Sequence, residues 1–220
     1  MSDIIISVFT PSIRASGLNI LQDSLEKQTF PASSFEWLTE IGLRSQGHTL
    51  NQAYNRMISR AKGSIFVSIQ DYTKVPKDFL ERIFEAYKDD TFYTIPLGKT
   101  LDWKSVEWDW RKHRTDCTWN EWEIDAGFCP MEALWKIGGF DEELDKKWSF
   151  DNQSVGYRAE QFGYKFGAFQ GTEAVAFDHD KREKHPFRKD WDPEFWKERL
   201  DFYQFNPKLD YLTRESKVIQ

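Results

Sequence analysis

Short apolar runs alternate with segments of helical periodicity along the first hundred residues. The apolar runs predict strands over residues 4–9, 35–39, 64–69 and 92–95. Between them, apolar residues recur at helical spacing through residues 18–25, 50–61 and 79–87. Strands that alternate with helices in this order predict an α/β fold around a mainly parallel central sheet with helices on its faces.

The second half of the chain has a less regular pattern. Residues 100–123 carry five Trp among many charges, and we interpret them as an irregular loop that could include a small antiparallel ribbon. Beyond this segment, the pattern predicts helices and strands over residues 131–137 (helix), 152–162 (helix), 165–169 (strand), 174–177 (strand) and 193–203 (helix). No repeat or low-complexity linker interrupts the chain. We therefore expect one domain over residues 1–187, with residues 188–220 as a helical extension packed on it.

Composition narrows the classes of function. The 220 residues include 36 acidic and 30 basic side chains, and the resulting formal charge of −6 makes nucleic acid an unlikely partner. No apolar run approaches the roughly 20 residues of a membrane span. The first residues lack the charged and apolar pattern of an export signal, so we expect a cytoplasmic protein whose two cysteines are reduced. Aromatic residues reach 16%, a load that can serve the core or line a site for sugars or bases.

The strand order also predicts where a ligand would bind. In open α/β sheets, ligands bind beyond the carboxyl ends of the strands. This rule selects residues 10–14, 40–48 and 70–74. The sequence contains no Walker P-loop, no Gly-x-Gly-x-x-Gly, no Gly-x-Ser-x-Gly and no His-Glu-x-x-His motif. The chemistry is therefore expected from carboxylates and a histidine that follow strands.

Three of these side chains each have two open interpretations. Asp71, directly after a predicted strand, could form a turn or supply an oxygen ligand to Mg²⁺ or Mn²⁺. His179, just past the last predicted strand, could be a surface side chain or a second metal ligand. Asp151 could cap the helix that begins there or act as a general base, with Trp148 as an aromatic wall.

Several short motifs occur in an order that resembles one enzyme family. They are the strand and turn at 5–14, Gln-Thr-Phe-Pro at 28–31, Ala-Tyr-Asn-Arg at 53–56 and Gly-Gly-Phe-Asp-Glu at 138–142. At these spacings the chain resembles a family 2 glycosyltransferase with the GT-A fold, including short stand-alone members such as those found in phages. The resemblance covers roughly residues 4 to 180, and the Gly-Gly-Phe-Asp-Glu motif matches the family residue for residue.

The resemblance implies a single GT-A-like domain that transfers a sugar to a hydroxyl acceptor. The expected donor is a nucleotide sugar, with UDP as the nucleotide, and the acceptor is a saccharide or another hydroxyl compound. Mn²⁺ or Mg²⁺ would be held by Asp71 and His179, and Asp151 would be the catalytic base. Arg14 could instead be a solvated surface charge, and Asp125 could instead cap a loop. The residues implied in donor binding are Thr10, Pro11, Ser12, Arg14, Glu40, Asn55, Gln70 and Asp125.

The chain departs from the family at three places. Residues 69–71 retain only the last carboxylate of the family's Asp-x-Asp metal motif. Glu40 stands where the family has a nucleoside-reading Asp pair. Asn152 occupies the position of the usual base, so Asp151 would have to act from the neighbouring position.

Two other functions remain open from the sequence. One is a catalytically reduced module that still binds a carbohydrate or a nucleotide sugar, which the shortened metal motif and Asn152 support. The other is a DNA-base-modifying glycosyltransferase, for which residues 181–189 would supply a local basic patch. Hydrolysis of the donor would separate an active transferase from the first alternative. Salt-sensitive binding to DNA would identify the second alternative.

Overall fold

A computed structural model describes residues 4–13, 15–42, 49–146, 150–178 and 192–212. The strands in these ranges are β1 (Ile6–Ser12), β2 (Phe35–Ile41), β3 (Ile65–Ile69), β4 (Thr73–Lys74), β5 (Thr91–Thr94), β6 (Leu97–Thr100), β7 (Glu107–Trp108), β8 (Ala126–Pro130), β9 (Lys165–Ala168) and β10 (Ala174–Phe177). The helices are α1 (Ala15–Leu25), α2 (Leu50–Arg60), α3 (Phe79–Ala86), α4 (Met131–Lys136), α5 (Asp151–Gln161) and α6 (Pro193–Phe205). Two short 3-10 helices cover Trp110–His113 and Glu142–Lys146. No helix among these is long and apolar enough to cross a membrane.

The strands form two sheets. The larger sheet has the order β2-β1-β3-β8-β5-β9, and its pairs β1/β2, β1/β3 and β5/β9 are parallel. The smaller sheet has the order β4-β10-β6-β7, and within it β6 and β7 form the small antiparallel ribbon expected near residue 100. The predicted architecture, a mainly parallel sheet flanked by helices, is therefore what the chain adopts.

Strand β8 is the strand of the larger sheet that the sequence pattern did not predict. It lies antiparallel between β3 and β5, and all five of its residues are buried. Its sequence, Ala-Gly-Phe-Cys-Pro, has no alternation and ends in proline, so its strand conformation depends on pairing with the two neighbours. Gly127 is required there, because a Cβ atom would lie 2.6 Å from the Glu123 carbonyl oxygen.

The central sheet separates two apolar layers. On one face, Phe9 and Phe66 stack with their ring centroids 4.5 Å apart and pack against α2, α4 and α5. On the other face, Ile6, Val8 and Val67 pack against α1 and α3. Alternate residues of each strand point to opposite faces, which explains why β1 and β3 carry apolar side chains on both faces.

The C-terminal segment packs on the Gly-Gly-Phe-Asp-Glu turn. Gly138 has a φ of +77°, and a Cβ atom there would lie 1.6 Å from the Leu209 carbonyl oxygen, so the position needs glycine. Leu209 N donates to Ile137 O at 2.9 Å, and Leu212 N donates to Gly138 O at 3.2 Å. The predicted tail helix is present and extends two residues further, to Phe205.

Asp141 is the polar centre of this contact. It is 1% exposed, and its carboxylate accepts hydrogen bonds from Arg199 and Tyr203 of α6 and, at 3.3 Å, from Tyr211. Ser154 of α5 donates to the Tyr203 hydroxyl oxygen at 2.9 Å. One buried carboxylate therefore joins the signature turn to the tail.

Asp141→Ala is expected to lower the free energy of unfolding by about 3–5 kcal/mol, because it leaves the largely buried Arg199 without its charge partner. Urea denaturation measures this change. The matched control is Asp23→Ala, which removes an exposed ion pair with Lys27 and should cost less than about 0.5 kcal/mol. Equal effects of the two substitutions would contradict this role of Asp141.

Candidate active site

The carboxyl edge of the sheet brings together four of the residues predicted for the site. Ser12, at the end of β1, donates its hydroxyl hydrogen to Asp71 Oδ2 at 2.6 Å. Gln70, at the end of β3, donates its backbone N–H to the Asp125 carbonyl oxygen at 2.9 Å. The ends of β1 and β3 and the start of β8 therefore meet at one place.

Residues of β1 and β2 extend this edge. Thr10 is buried, and its hydroxyl oxygen accepts a hydrogen bond from Trp37 Nε1 at 3.1 Å. Pro11 lies opposite Glu40 in the parallel register. The Glu40 carboxylate is paired with Arg60 Nη1 at 2.6 Å, so an arginine lies beside the predicted nucleoside contact. Arg14 lies outside the described residues.

The turn after β3 is held in an unusual conformation. Tyr72 has a φ of +54°, which is uncommon for a bulky residue and often marks a functional turn. Its hydroxyl shares a hydrogen bond with Ser16 Oγ at 2.5 Å, and its ring packs against Gly17 of α1. These contacts fix the backbone on which Asp71 stands.

The predicted metal ligands can be followed only in part. Phe177 N donates to the Tyr72 carbonyl oxygen at 2.9 Å, so the end of β10 runs alongside the Asp71 turn. Asp178 follows it, and His179 is the next residue but lies outside the described ranges. Within those ranges, no group of three or more His, Cys, Asp or Glu side chains is arranged to hold a metal ion. Of the two predicted metal ligands, the structure therefore describes only Asp71, whose carboxylate is the kind of oxygen donor that Mn²⁺ and Mg²⁺ prefer.

The side chain of Asn55 contacts the Gly-Gly-Phe-Asp-Glu turn and not this edge. It is 4% exposed, its side-chain amide donates to Phe140 O at 2.9 Å, and its Oδ1 accepts from Phe140 N at 2.8 Å. The same amide also donates to Glu142 at 2.9 Å. These hydrogen bonds give Asn55 a structural role in holding the signature turn.

Asp151 stands in the first turn of α5, after Phe150 at the N-cap position. It is therefore not the cap that the sequence offered as its alternative role. Its carboxylate accepts a hydrogen bond from Asn51 Nδ2 at 2.5 Å, and Asn51 also donates to Asp145. Burial is the main cause that raises the pKa of Asp151 to about 6, and the Asn51 hydrogen bond opposes the shift.

Sequence reasoning missed a buried arginine in the segment interpreted as an irregular loop. Arg111 is 3% exposed and pairs with Asp125 at 2.6 Å and with Asp109 at 2.5 Å. Its Nη1 also donates to Thr94 Oγ1 at 3.1 Å. Asp125 is thus held by a guanidinium group at the mouth of the sheet. The only sequence signal was an arginine in a segment of mixed charge, which does not distinguish a buried pair from a surface one.

Glu123 is the second residue that was missed. Its carboxylate accepts a hydrogen bond from Asn152 Nδ2 at 2.8 Å. Burial first, then the charges of Asp125 and Asp109, raise the pKa of Glu123 to about 7, while Arg111 and the Asn152 hydrogen bond oppose the shift. Raised carboxyl pKa values of this kind are typical of acid–base sites.

The tryptophans of residues 103–122 divide between core and surface. Trp122 is fully buried against Phe92 and donates from Nε1 to Tyr93 O at 3.2 Å. Trp108 lies under the Lys112 ammonium group at 4.6 Å, which is a cation–π geometry. A ligand-facing role for the rings of this segment stays a prediction. Trp148 lies outside the described residues.

Comparisons with known proteins identify the fold. No family model matches the sequence. No curated protein matches it either. TarS from S. aureus in complex with UDP-GlcNAc superposes with a TM-score of 0.63 at 17% identity, over 92% of this chain and 66% of that chain. The TarS complex with UDP gives 0.60 at 16% identity, over 81% and 62%. GalNAc-T7 with UDP, GalNAc and Mn²⁺ gives 0.61 at 12% identity, over 80% and 44%.

These structural neighbours are GT-A-type glycosyltransferases, and the predicted fold class is confirmed. The chain spans 44% to 66% of the length of the three structures. At 12% to 17% identity, the likeness shows the fold alone. Membership of family 2 and the likeness to phage proteins stay predictions.

Glu123→Gln is expected to stabilise the protein above pH 7. Because the folded state raises the pKa of this carboxyl, the native protein holds the proton more tightly than the unfolded chain does. The contribution of Glu123 to the free energy of unfolding is therefore largest below about pH 4.5 and falls as the pH rises through about 7. Urea unfolding at pH 5 and pH 8 measures how much the free energy of unfolding changes between these pH values. This change should be smaller in the variant than in the wild type.

The matched control for this experiment is Glu121→Gln, two residues away. Arg114 lowers the pKa of Glu121, so its stabilising contribution is present at neutral pH and is lost on acidification. The control should therefore destabilise the protein at pH 8, the opposite sign to Glu123→Gln. Effects of the same sign would contradict the environment described for Glu123.

Proposed function

We propose that this protein transfers a sugar from a nucleotide-sugar donor, with a UDP-sugar as the expected donor, to a hydroxyl of a saccharide or another acceptor. The observation that carries the proposal is the meeting of Ser12, Asp71 and Asp125 at the carboxyl edge of a GT-A-type sheet. In open α/β sheets this edge is the ligand-binding edge. The structural neighbours bound to UDP or UDP-GlcNAc are consistent with the same donor class.

The donor would lie across the ends of β1, β3 and β8. In this proposal, the nucleoside contacts Thr10, Pro11, Ser12, Arg14 and Glu40. Gln70, directly after β3, lies next to Asp125, directly before β8, and both would face the donor sugar. Asp125 is 31% exposed in its side chain, so it can reach a ligand while Arg111 holds it.

Mn²⁺ or Mg²⁺ would be held by Asp71 and His179, together with oxygens of the donor diphosphate. When bound, such a cation neutralises negative charge on the departing diphosphate. The Asp71 carboxylate suits this ion, and its orientation is fixed by the Ser12 hydroxyl. The end of β10 runs past Tyr72, next to Asp71. This course supports a metal site shared by Asp71 and His179, the residue that directly follows Asp178.

An attacking hydroxyl needs a proton acceptor. Asp151, the base predicted from the sequence, remains a candidate because it lies in the first turn of α5 with a raised pKa. Glu123 is the second candidate, and Asn152 of the same helix binds it. A carboxylate in either place would contribute about 10²–10⁴-fold to the rate.

A catalytically reduced binding module is the second candidate function. The observation that favours it is Asn152, because an amide cannot take the proton that a carboxylate at this position would accept. Such a module would bind a UDP-sugar without releasing UDP from it. The basic stretch 181–189, on which a DNA-directed activity would depend, lies outside the described residues.

UDP is expected to bind more tightly in the presence of Mn²⁺ or Mg²⁺, and Asp71→Asn should lower the metal-dependent affinity by at least about 10-fold. Isothermal titration calorimetry with UDP, with and without Mn²⁺, measures both effects. His179→Ala should have the same effect, and the metal-dependent affinity should fall as the pH drops through about 6.5.

The control for Asp71→Asn is Asp78→Asn, at an exposed aspartate paired with Arg82 outside this edge. Its UDP affinity should equal that of the wild type. Absence of UDP binding at millimolar concentration with Mn²⁺ would refute the donor class. Full metal-dependent affinity in Asp71→Asn would refute Asp71 as a ligand.

A further inference from the structure

Glu123 is held in a rigid place at the ligand-binding edge. The residue before it, Trp122, is fully buried, and its indole N–H is bonded to β5 through Tyr93 O. The carbonyl oxygen of Glu123 packs against Gly127 of β8, which leaves no room for a Cβ atom. Its carboxylate is partly buried and lies two residues before Asp125, so it is fixed near the proposed donor sugar without being sealed in the core.

The charged groups around Glu123 come from residues 109–111 and from Asp125. Asp109 and Asp125 lie near enough to disfavour its ionised form, and the Arg111 guanidinium near enough to favour it. Arg111 is itself paired with both aspartates. Cys117 also faces Glu123, and burial raises the pKa of its thiol to about 12, so it stays neutral. In the described hydrogen bonds, Arg111 donates to Asp109 and Asp125 but not to Glu123.

Asp151 has a different set of partners. Asn51, whose amide binds Asp151, is 0% exposed and also binds Asp145 through both its side chain and its backbone N–H. Asp145 additionally accepts a hydrogen bond from Gln52 N at 3.2 Å. The Asp151 carboxylate is thus part of a connection that ties the start of α5 to the start of α2.

We propose that Glu123 is the catalytic base of this enzyme, oriented by the Asn152 amide, with Asp151 acting as a positioning residue; this inference rests on the proposed glycosyl transfer. The acceptor oxygen forms the new bond to the anomeric carbon as its proton passes to a Glu123 carboxylate oxygen. The bond between the anomeric carbon and the diphosphate oxygen breaks, and its electron pair leaves with the nucleoside diphosphate. Glu123 then releases the proton to solvent.

The test uses the full chain, with water as the acceptor and release of UDP as the signal. The donor probes are UDP-glucose, UDP-galactose, UDP-GlcNAc and UDP-GalNAc with Mn²⁺. In Glu123→Gln, the turnover number should fall by about 10²–10⁴-fold, while the UDP affinity stays near that of the wild type and the melting temperature does not fall. Gln keeps an oxygen that can accept the Asn152 hydrogen bond, so the fold around it is preserved.

Two further measurements separate a base from a structural residue. The wild-type rate should rise with pH through a group that ionises near neutral pH, and this dependence should be absent from Glu123→Gln. Added formate should restore part of the activity of Glu123→Ala, because a small carboxylate can enter the space that the side chain leaves. The control Glu121→Gln should release UDP at the wild-type rate.

The outcomes distinguish this inference from the proposed function. A wild-type chain that binds none of the four donors refutes the proposed function. A chain that binds them but releases no UDP between pH 5 and 9 also refutes the proposed transfer, because that is the behaviour of the binding module. A Glu123→Gln variant with undiminished turnover and pH dependence refutes Glu123 as the base. If instead Asp151→Asn alone removes the pH dependence, Asp151 is the base and this inference is overturned.

Discussion

The antiparallel insertion of β8 between β3 and β5 is the constraint on which the candidate site depends. The parallel strands β1 and β3 bring their carboxyl ends to the ligand-binding edge. Because β8 runs in the opposite direction, it brings its amino end there, and the residues that precede it lie beside Asp71. A parallel strand in the same place would have carried Glu123 and Asp125 to the far edge of the sheet.

A buried cation determines how the segment before β8 folds. Burying the guanidinium of Arg111 is costly unless carboxylates and hydrogen bonds compensate for the lost water. Asp109, Asp125 and the hydroxyl of Thr94 provide that compensation. The segment around residues 109–125 therefore has a definite conformation although its regular secondary structure is limited to the 3-10 helix Trp110–His113. The same arrangement leaves Glu123 next to two carboxylates, which accounts for part of its raised pKa.

The parallel strands and the main helices could be predicted because each carries its own local pattern. β1 and β3 carry apolar residues on both faces, and α2 and α3 have apolar faces at helical spacing. β8 has five residues with a glycine and a proline, and its strand conformation comes from its neighbours rather than from its own sequence. Helix α5 begins at Asp151, one residue before the predicted start, and β5 is shifted by one residue.

Site residues could be predicted where they follow a strand that could itself be predicted. Asp71 and Ser12 follow from the rule that ligands bind at strand ends, and they lie in contact. The pairs Arg111–Asp125 and Asn152–Glu123 join positions 14 and 29 residues apart through a segment that has no periodicity. Such contacts depend on tertiary packing, and residue type and spacing alone do not reveal them.

The first turn of α5 explains how an amide at position 152 fits this site. Neighbouring residues of a helix point about 100° apart, so Asp151 and Asn152 reach different partners. Asp151 accepts from Asn51, whereas Asn152 donates to Glu123 and to the Trp122 carbonyl oxygen. A carboxylate at 152 would lose both donated bonds and bring a second negative charge within about 3 Å of Glu123, which strongly disfavours ionising both groups. The amide at 152 is therefore the side chain that suits a carboxylate at 123.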